Sequence, residues 1–331
     1  MKHNHKRLSA WQDAVKKEQF LPALLISICL FIALLLQITD RFIYPISREL
    51  LSPMTAQIIV IFIPLYLCMT VAFPERSPVY MLRAVGCRRL RADNVFLIIF
   101  TSLFMITTSL VINLALGGAH PISEGFTLFG SFTAGAGEYT STYPYLIIVY
   151  AAAPAFLEEI LFRGFVYSRF SRISQATAIV VSTVTSSLFA FSVAGLPAAI
   201  FCGIAYCFVR CITGTLWSCM LVHFVFNLYA LFLQTNVAKY FLSAQNRLLL
   251  IIIVVAAWLI SSTLFFAEGA RIFKARSDKI KSGEEKSTLP MFGFKTLDRE
   301  LKRAFSHRPT MIPSIVSVVL FIAITAIGYF A

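Results

Sequence analysis

The chain has 331 residues, of which 58% are hydrophobic and only 14% charged, and its mean hydropathy is +0.78. This composition lies far outside the usage of soluble globular domains and predicts an integral membrane protein. The formal net charge of +13 could suggest nucleic-acid binding, but the basic residues cluster between apolar runs rather than along a stripe with interleaved aromatic residues. We therefore predict no nucleic-acid partner.

Nine apolar runs are long enough, or nearly long enough, to cross a bilayer as helices. The sequence therefore predicts an all-α, polytopic membrane helical bundle of about eight to nine transmembrane helices. The run at 196–212 is the least regular, because Pro197 lies at its start and Arg210 near its end. It is predicted to be tilted, partly re-entrant or buried by its neighbours. The nine runs fall at about 20–39, 56–73, 94–116, 144–168, 176–193, 196–212, 214–234, 247–267 and 311–330.

The connections between the apolar runs differ in their content of basic residues. Five Lys or Arg lie in residues 1–19 and five in residues 74–93, whereas residues 117–143 contain none. Because Lys and Arg accumulate in cytoplasmic loops, the N-terminus is predicted to be cytoplasmic. Alternating crossings then direct the run at 144–168 from the outside to the inside.

The chain is predicted to divide into three parts. Residues 1–267 form one helical domain, and residues 311–331 add a C-terminal transmembrane helix. Residues 268–310 form a cytoplasmic basic segment, with eleven Lys or Arg against six acidic residues. From Leu297 onward this segment is amphipathic, which favours an interfacial helix on anionic membrane lipids over an unstructured basic linker. Its apolar face holds Leu297, Leu301, Ala304 and Phe305, and its basic face holds Arg299, Lys302 and Arg303.

Two adjacent carboxylates interrupt the apolar run at 144–168. Glu158 and Glu159, followed by Arg163, stand among Ala, Leu, Ile, Phe and Val residues. An ionised side chain near the bilayer centre costs about 3 kcal/mol on insertion scales, so such a pair persists where something uses or satisfies it. Glu159 and Arg163 are four residues apart on one helix face, which predicts an ion pair. Glu158 points about 100° away and needs a partner from another part of the chain.

A second polar group lies in the run at 214–234. His223 and Asn227 are four residues apart, and Cys219 extends the same row by one turn. This row is the candidate to face Glu158. A lone histidine in a membrane helix usually makes a helix-to-helix hydrogen bond. Together with an asparagine and a carboxylate pair, however, it supplies the elements of water activation, with a base and polar groups for a developing oxyanion.

These residues carry a family resemblance. The pattern EExxxR, from Glu158 to Arg163, is followed about 60 residues later by HxxxN, from His223 to Asn227. In this order within membrane helices, the two motifs resemble the CPBP family, also called Abi or CAAX-protease-like intramembrane proteases. Its members include the type II CAAX prenyl endopeptidases and proteins linked to bacteriocin maturation or self-immunity. The resemblance covers residues 144–234.

The resemblance implies a helical intramembrane protease in which the first glutamate activates water for peptide cleavage. Carried over, Glu158 is the base, the Glu159–Arg163 pair shapes the site, and His223 with Asn227 positions water or stabilises the oxyanion. The implied partners are membrane lipids and a peptide or lipidated protein substrate. The implied location is a bacterial plasma membrane.

One motif of the family is incomplete in this chain. Between the two motifs above the family usually shows FxxxH, and the matching stretch has Phe189 followed by Val193 in place of the histidine. Val193 can neither bind a metal nor move a proton. We expect Glu158, His223 and Asn227 to converge on one cavity, with Val193 at its border.

The metal content is left open by the sequence. A zinc site normally needs three protein ligands, and the family motifs supply only Glu158 and His223 as candidates. Cys219 is the nearby soft ligand on the same helix face as His223, and a three-ligand site with it is the weaker interpretation. The cofactor is therefore unknown, with a divalent metal such as zinc as the open alternative.

Three functions are compatible with these patterns. The first is an intramembrane endopeptidase that cleaves a peptide or lipidated tail. The second is a catalytically weakened or inactive relative that acts as a membrane binding, immunity or scaffold protein, and Val193 motivates it. The third is a transporter or channel, against which stand the clustering of the charges on two helices and the lack of broken, paired helices.

Overall fold

The computed structural model describes residues 2–42, 53–73, 75, 77–115, 143–191, 193, 195–234, 247–283, 294–305 and 308–330. All regular structure in these ranges is helical, and eight of the helices are long and apolar enough to cross a membrane. The predicted all-α, polytopic bundle is therefore confirmed. The helices are α1 (Lys2–Phe42), α2 (Met54–Ala72), α3 (Pro78–Ala84), α4 (Val95–Ala115), α5 (Tyr143–Phe170), α6 (Gln175–Ala190), α7 (Leu196–Thr213), α8 (Leu216–Leu233), α9 (Arg247–Lys281), α10 (Phe294–Phe305) and α11 (Arg308–Phe330).

Some predicted features lie outside the described residues. These are the connection at 117–142 and the side chains of residues 2–18, which contribute to the predicted orientation, together with the side chain of Arg303.

Helix α6 corresponds to the predicted run at 176–193, but it is shorter than the other crossing helices. It is α-helical over Gln175–Ser187 and ends in a 3₁₀ turn over Leu188–Ala190. Four of its polar side chains are buried, so it lies among other helices and exposes little of itself to lipid. These are Thr177, Ser182, Thr183 and Ser187.

The relative direction of the first and last helices indicates that α6 counts as a crossing. Ser27 of α1 donates to the Pro313 carbonyl of α11 at 2.6 Å, and further along both helices Gly328 lies beside Gln37. The two helices are therefore parallel, and two parallel crossings have an odd number of crossings between them. The segments between the described helices contain no further apolar run of spanning length. Counting α6 makes α11 the ninth crossing, which satisfies this parity.

The long helix α9 continues through the predicted boundary at 267 and packs against the turn between α7 and α8. Near its end Arg276 is buried, and its Nη1 donates to the carbonyls of Cys211 at 2.5 Å and Ile212 at 3.1 Å. These carbonyls belong to the last turn of α7, where backbone acceptors lack a partner within the helix. Gly214 follows with φ +70°, which turns the chain into α8.

We expect Arg276→Met to lower the free energy of unfolding by about 1–3 kcal/mol, because two buried carbonyls lose their donor. Thermal unfolding in detergent micelles, followed by reaction of the buried cysteines with a thiol dye, measures this change. Arg271→Met is the matched control on the same helix. Its guanidinium contacts Glu268 at the surface, so the melting temperature should stay at the wild-type value. Equal melting temperatures for both variants would contradict the capping role of Arg276.

The predicted amphipathic helix is present as α10, and part of its apolar face contacts protein. Ala304 is fully buried, and Phe305 stacks on Phe170 with ring centroids 6.2 Å apart. Glu300 accepts hydrogen bonds from the hydroxyl groups of Ser174 and Thr177 at the start of α6. The helix therefore packs where α5 ends and α6 begins, and it leaves Lys302 exposed.

Candidate functional site

The carboxylate pair lies between two widened turns of α5. Glu158 and Glu159 end the α-helical stretch Ala153–Glu159, which is preceded by π-helix at Ile147–Ala152 and followed by π-helix at Ile160–Val166. A π-helical turn pairs each residue with the fifth one along rather than the fourth, and such turns often mark functional sites. The uniform α-helical spacing assumed from the sequence therefore does not hold beyond Glu159.

Glu159 is at the centre of a buried ion network. Its Oε1 accepts a hydrogen bond from Arg163 Nη1 at 3.3 Å and contacts His223 Nδ1 at 3.0 Å. The Glu159 side chain is 0% exposed, and those of Arg163 and His223 are 3% and 5% exposed. The predicted pair of Glu159 and Arg163 is thus present. The imidazole, which the sequence directs toward Glu158, makes its hydrogen bond to Glu159 instead.

This contact determines how the imidazole of His223 is used. An ionised carboxylate only accepts hydrogen bonds, so the proton of the contact belongs to Nδ1 of His223. A carboxylate in this position fixes the orientation and tautomer of an imidazole and leaves Nε2 for other chemistry. Glu159 is therefore a positioning residue for His223.

Glu158 belongs to the same cluster but is held differently. It is buried, with 9% of its surface exposed, and its side chain interacts with the other described residues through charge and not through a hydrogen bond. It lies within electrostatic range of His223, Glu159 and Arg163. A buried carboxylate without a fixed partner is costly to maintain, and it is free to bind water or substrate.

The row on α8 contacts three different parts of the bundle. Asn227 Nδ2 donates to the Ala151 carbonyl at 3.4 Å, inside the first π-helical turn of α5. Cys219 Sγ donates to the Tyr206 carbonyl at 3.3 Å. His223, between them, is the member of the row that is hydrogen-bonded to the carboxylate pair. Asn227 retains its second amide hydrogen for another acceptor.

Tyr206 of α7 is a member of the cluster that the sequence did not predict. Its ring stacks on His223 with centroids 4.8 Å apart and 21° between the planes, and Arg163 Cζ lies 5.1 Å from the ring centroid. No spacing relates Tyr206 to the other site residues. An aromatic residue in an apolar helix is ordinary, so the sequence carried no signal for its role.

A glycine permits the close approach of α7 to this network. A Cβ at Gly203 would lie 2.9 Å from Thr183 Cγ2 and 3.3 Å from Arg163 Nη2. Arg163 Nη2 in turn donates to Ser186 Oγ at 3.2 Å. The absence of a side chain at Gly203 therefore lets α6 and α7 both contact the Arg163 guanidinium.

Val193 lies in the turn between α6 and α7 and is 63% exposed. Phe189, four residues earlier, is buried, and its ring lies 5.0 Å from that of Phe162. Phe191, which ends α6, adopts a left-handed backbone conformation with φ 49°. The side chain of Val193 is therefore exposed and does not pack against the ion network around Glu159.

The donor set of the cluster does not fit a metal ion. Among the residues with a described structure, no three His, Cys, Asp or Glu side chains are arranged to hold one. The Cys219 thiol is directed to a backbone carbonyl and His223 Nδ1 to Glu159. A zinc site normally needs three protein ligands. We therefore derive no chemical step through a metal.

The fold and the cluster together define the class of protein, which is a polytopic helical membrane protein with a buried carboxylate pair facing a histidine and asparagine helix. Residues 140–229, which contain all of this cluster, match the family model described as Rce1-like, type II CAAX prenyl endopeptidase. The match confirms the resemblance to the CPBP or CAAX-protease-like family. Comparison with curated proteins and with solved structures gives no match.

Proposed function

We propose that the protein is an intramembrane endopeptidase in which Glu158 activates a water molecule. The observation that carries this proposal is the unequal use of the two carboxylates. Oε1 of Glu159 contacts both Arg163 and His223, whereas the side chain of Glu158 is buried beside them without a hydrogen bond to a described residue. The match of this region to a family of prenyl endopeptidases supports peptide hydrolysis as the reaction.

The proposed reaction assigns one task to each side chain. Glu158 takes a proton from water as the water oxygen attacks the carbonyl carbon of the scissile peptide bond. His223, held by Glu159, orients the water through Nε2. The remaining amide hydrogen of Asn227 stabilises the negative charge on the carbonyl oxygen. When the C–N bond breaks, Glu158 returns its proton to the leaving amine.

The proposed substrate is a peptide or lipidated protein tail that reaches the site from the membrane. We place the N-terminus in the cytoplasm and the protein in a bacterial plasma membrane. The C-terminal ends of α5, α7 and α9 then lie on the cytoplasmic side. The exposed basic residues Arg88, Arg89 and Arg91 lie on the same side. This arrangement agrees with the retention of basic loops in the cytoplasm.

The assay is cleavage of a peptide panel by purified protein in nanodiscs. The panel contains prenylated tails and the same peptides without the prenyl group. Cleavage by the wild type that disappears in Glu158→Gln supports the proposal, and the ratio between the two peptide sets identifies the substrate class. Equal cleavage rates for wild type and Glu158→Gln would reject Glu158 as the base.

His223→Phe is expected to lower kcat roughly 10²-fold, because an aromatic ring remains against Tyr206 but both nitrogen atoms are lost. Steady-state cleavage with one peptide of the panel measures the effect. Cys219→Ser is the matched control, since this residue is one turn away on the same helix. It should retain the wild-type kcat. A loss of activity in Cys219→Ser together with loss of bound zinc would instead establish the three-ligand metal site.

A second function is favoured by one observation. Val193 occupies the position at which the FxxxH motif has its histidine, and this supports a weakened or inactive relative that acts as a membrane binding, immunity or scaffold protein. Absence of cleavage by folded wild-type protein across the panel, with a cellular phenotype that Glu158→Gln preserves, would favour this function.

A further inference from the structure

The hydroxyl group of Tyr206 is a buried polar group without a partner. The residue is only 3% exposed. Its Oη is shielded from solvent and makes no hydrogen bond in the described part of the chain. Buried hydroxyl groups nearly always have a hydrogen-bond partner, and leaving one without costs about 1–3 kcal/mol. The hydroxyl group of Tyr206 is therefore available to donate to a bound substrate group.

The surroundings of Tyr206 place this hydroxyl in the proposed active site. The ring is fixed by its stack on His223 and by the Arg163 guanidinium. The hydroxyl lies within electrostatic range of both Glu158 and Glu159. A phenol is a neutral hydrogen-bond donor at neutral pH, and it can serve a negatively charged oxygen without giving up its proton.

Val193 stands where the FxxxH motif of the family has a histidine, so the site lacks one imidazole that the hydroxyl group of Tyr206 could replace as a hydrogen-bond donor. The resemblance to the protease family leads to an expectation of a second imidazole near the base, and Val193 is an exposed aliphatic residue. Hydrolysis still requires donors aimed at the oxygen on which charge develops. Glu159 orients His223 through Nδ1. The ring of Tyr206 contacts His223, and its hydroxyl group is a hydrogen-bond donor without a partner among the described residues.

We propose that Tyr206 contacts the substrate and donates a hydrogen bond to the carbonyl oxygen of the scissile peptide bond as that oxygen becomes an oxyanion. This inference rests on the proposed endopeptidase function. No proton is transferred by the phenol; the water proton still passes to Glu158 and then to the leaving amine. The ring in addition holds the imidazole plane of His223.

Three variants separate these contributions. Tyr206→Phe removes the hydroxyl and keeps the ring, Tyr206→Leu removes both, and Tyr229→Phe removes a hydroxyl from another buried tyrosine as the matched control. For Tyr206→Phe we expect kcat to fall roughly 10²-fold with KM unchanged, because the bond forms mainly in the transition state. The kcat of Tyr206→Leu should fall further, and the kcat of Tyr229→Phe should equal that of the wild type.

Steady-state cleavage in nanodiscs and thermal unfolding of the same preparations decide the outcome. A lower kcat for Tyr206→Phe at a wild-type or higher melting temperature supports the inference. A wild-type kcat for Tyr206→Phe overturns it, while the difference between wild type and Glu158→Gln still upholds the peptidase. If the lower kcat of Tyr206→Phe is accompanied by a lower melting temperature, Tyr206 has a structural role, and the inference is overturned as well. If folded wild type cleaves no peptide of the panel, the peptidase and the role of Tyr206 are both rejected.

Discussion

Glu158→Gln is expected to lower kcat by about 10²–10⁴-fold while the protein stays folded, which is the usual contribution of a general base. Glutamine preserves the shape of the side chain but cannot accept a proton from water. Glu158 makes no hydrogen bond to a described residue, so its replacement leaves the network around Glu159 intact. The melting temperature should therefore equal or exceed that of the wild type, because a buried carboxylate is removed.

Steady-state cleavage of a single peptide in nanodiscs, with thermal unfolding of the same samples, measures both effects. Asp298→Asn is the matched control, since it neutralises an exposed carboxylate that pairs with Lys302 on α10. It should keep the wild-type kcat. A Glu158→Gln enzyme with more than a tenth of wild-type activity would require a different base, and His223 would be the next residue to test.

Arg163→Met is expected to lower the free energy of unfolding by about 3–5 kcal/mol, the cost of leaving a buried charge without its partner. Glu159 is fully buried, and Arg163 supplies the permanent positive charge beside it. His223 alone contacts Glu159 through a single nitrogen and is charged only when it binds a second proton. Methionine retains most of the volume of the side chain, so the effect reports the charge rather than a cavity.

The double variant Glu159→Gln with Arg163→Met tests the origin of this loss. Removing both charges of a buried pair often restores stability, so the double variant should recover most of it. Lys302→Met, which breaks an exposed pair, is the control and should leave the melting temperature unchanged. Unfolding in mixed detergent and sodium dodecyl sulfate micelles gives the free energies. A double variant as unstable as Arg163→Met would contradict an electrostatic cause.

The crossing helices and one half of the site network could be predicted because both depend on local information. A helix needs roughly twenty apolar residues to span the hydrocarbon core, and the runs in this chain meet that length. The pair of Glu159 and Arg163 depends only on a four-residue spacing within one helix, and it forms at 3.3 Å even though the turn there is π-helical. The motif spacing also led to the family resemblance that the match at 140–229 confirms.

The partner of His223 was not available from the sequence. Which of two adjacent carboxylates meets an imidazole depends on the rotation of α5 and α8 about their axes, and the π-helical turns of α5 change that rotation. The contact falls on Glu159. This outcome strengthens the separation of the two carboxylates, since Glu159 gains a second partner and Glu158 gains none among the described residues.

The sequence by itself determined the class of protein, the positions of the crossing helices and the two helices that carry the charged residues, because apolar length and residue spacing act within one segment. Only the tertiary structure decided that Glu159 holds His223, that Tyr206 lies against both Arg163 and His223, and that α1 and α11 run parallel, which counts α6 as one of nine crossings. These features depend on the register and rotation of helices that are distant in the chain. Side-chain packing between helices sets that register, and no pattern within a single helix records it.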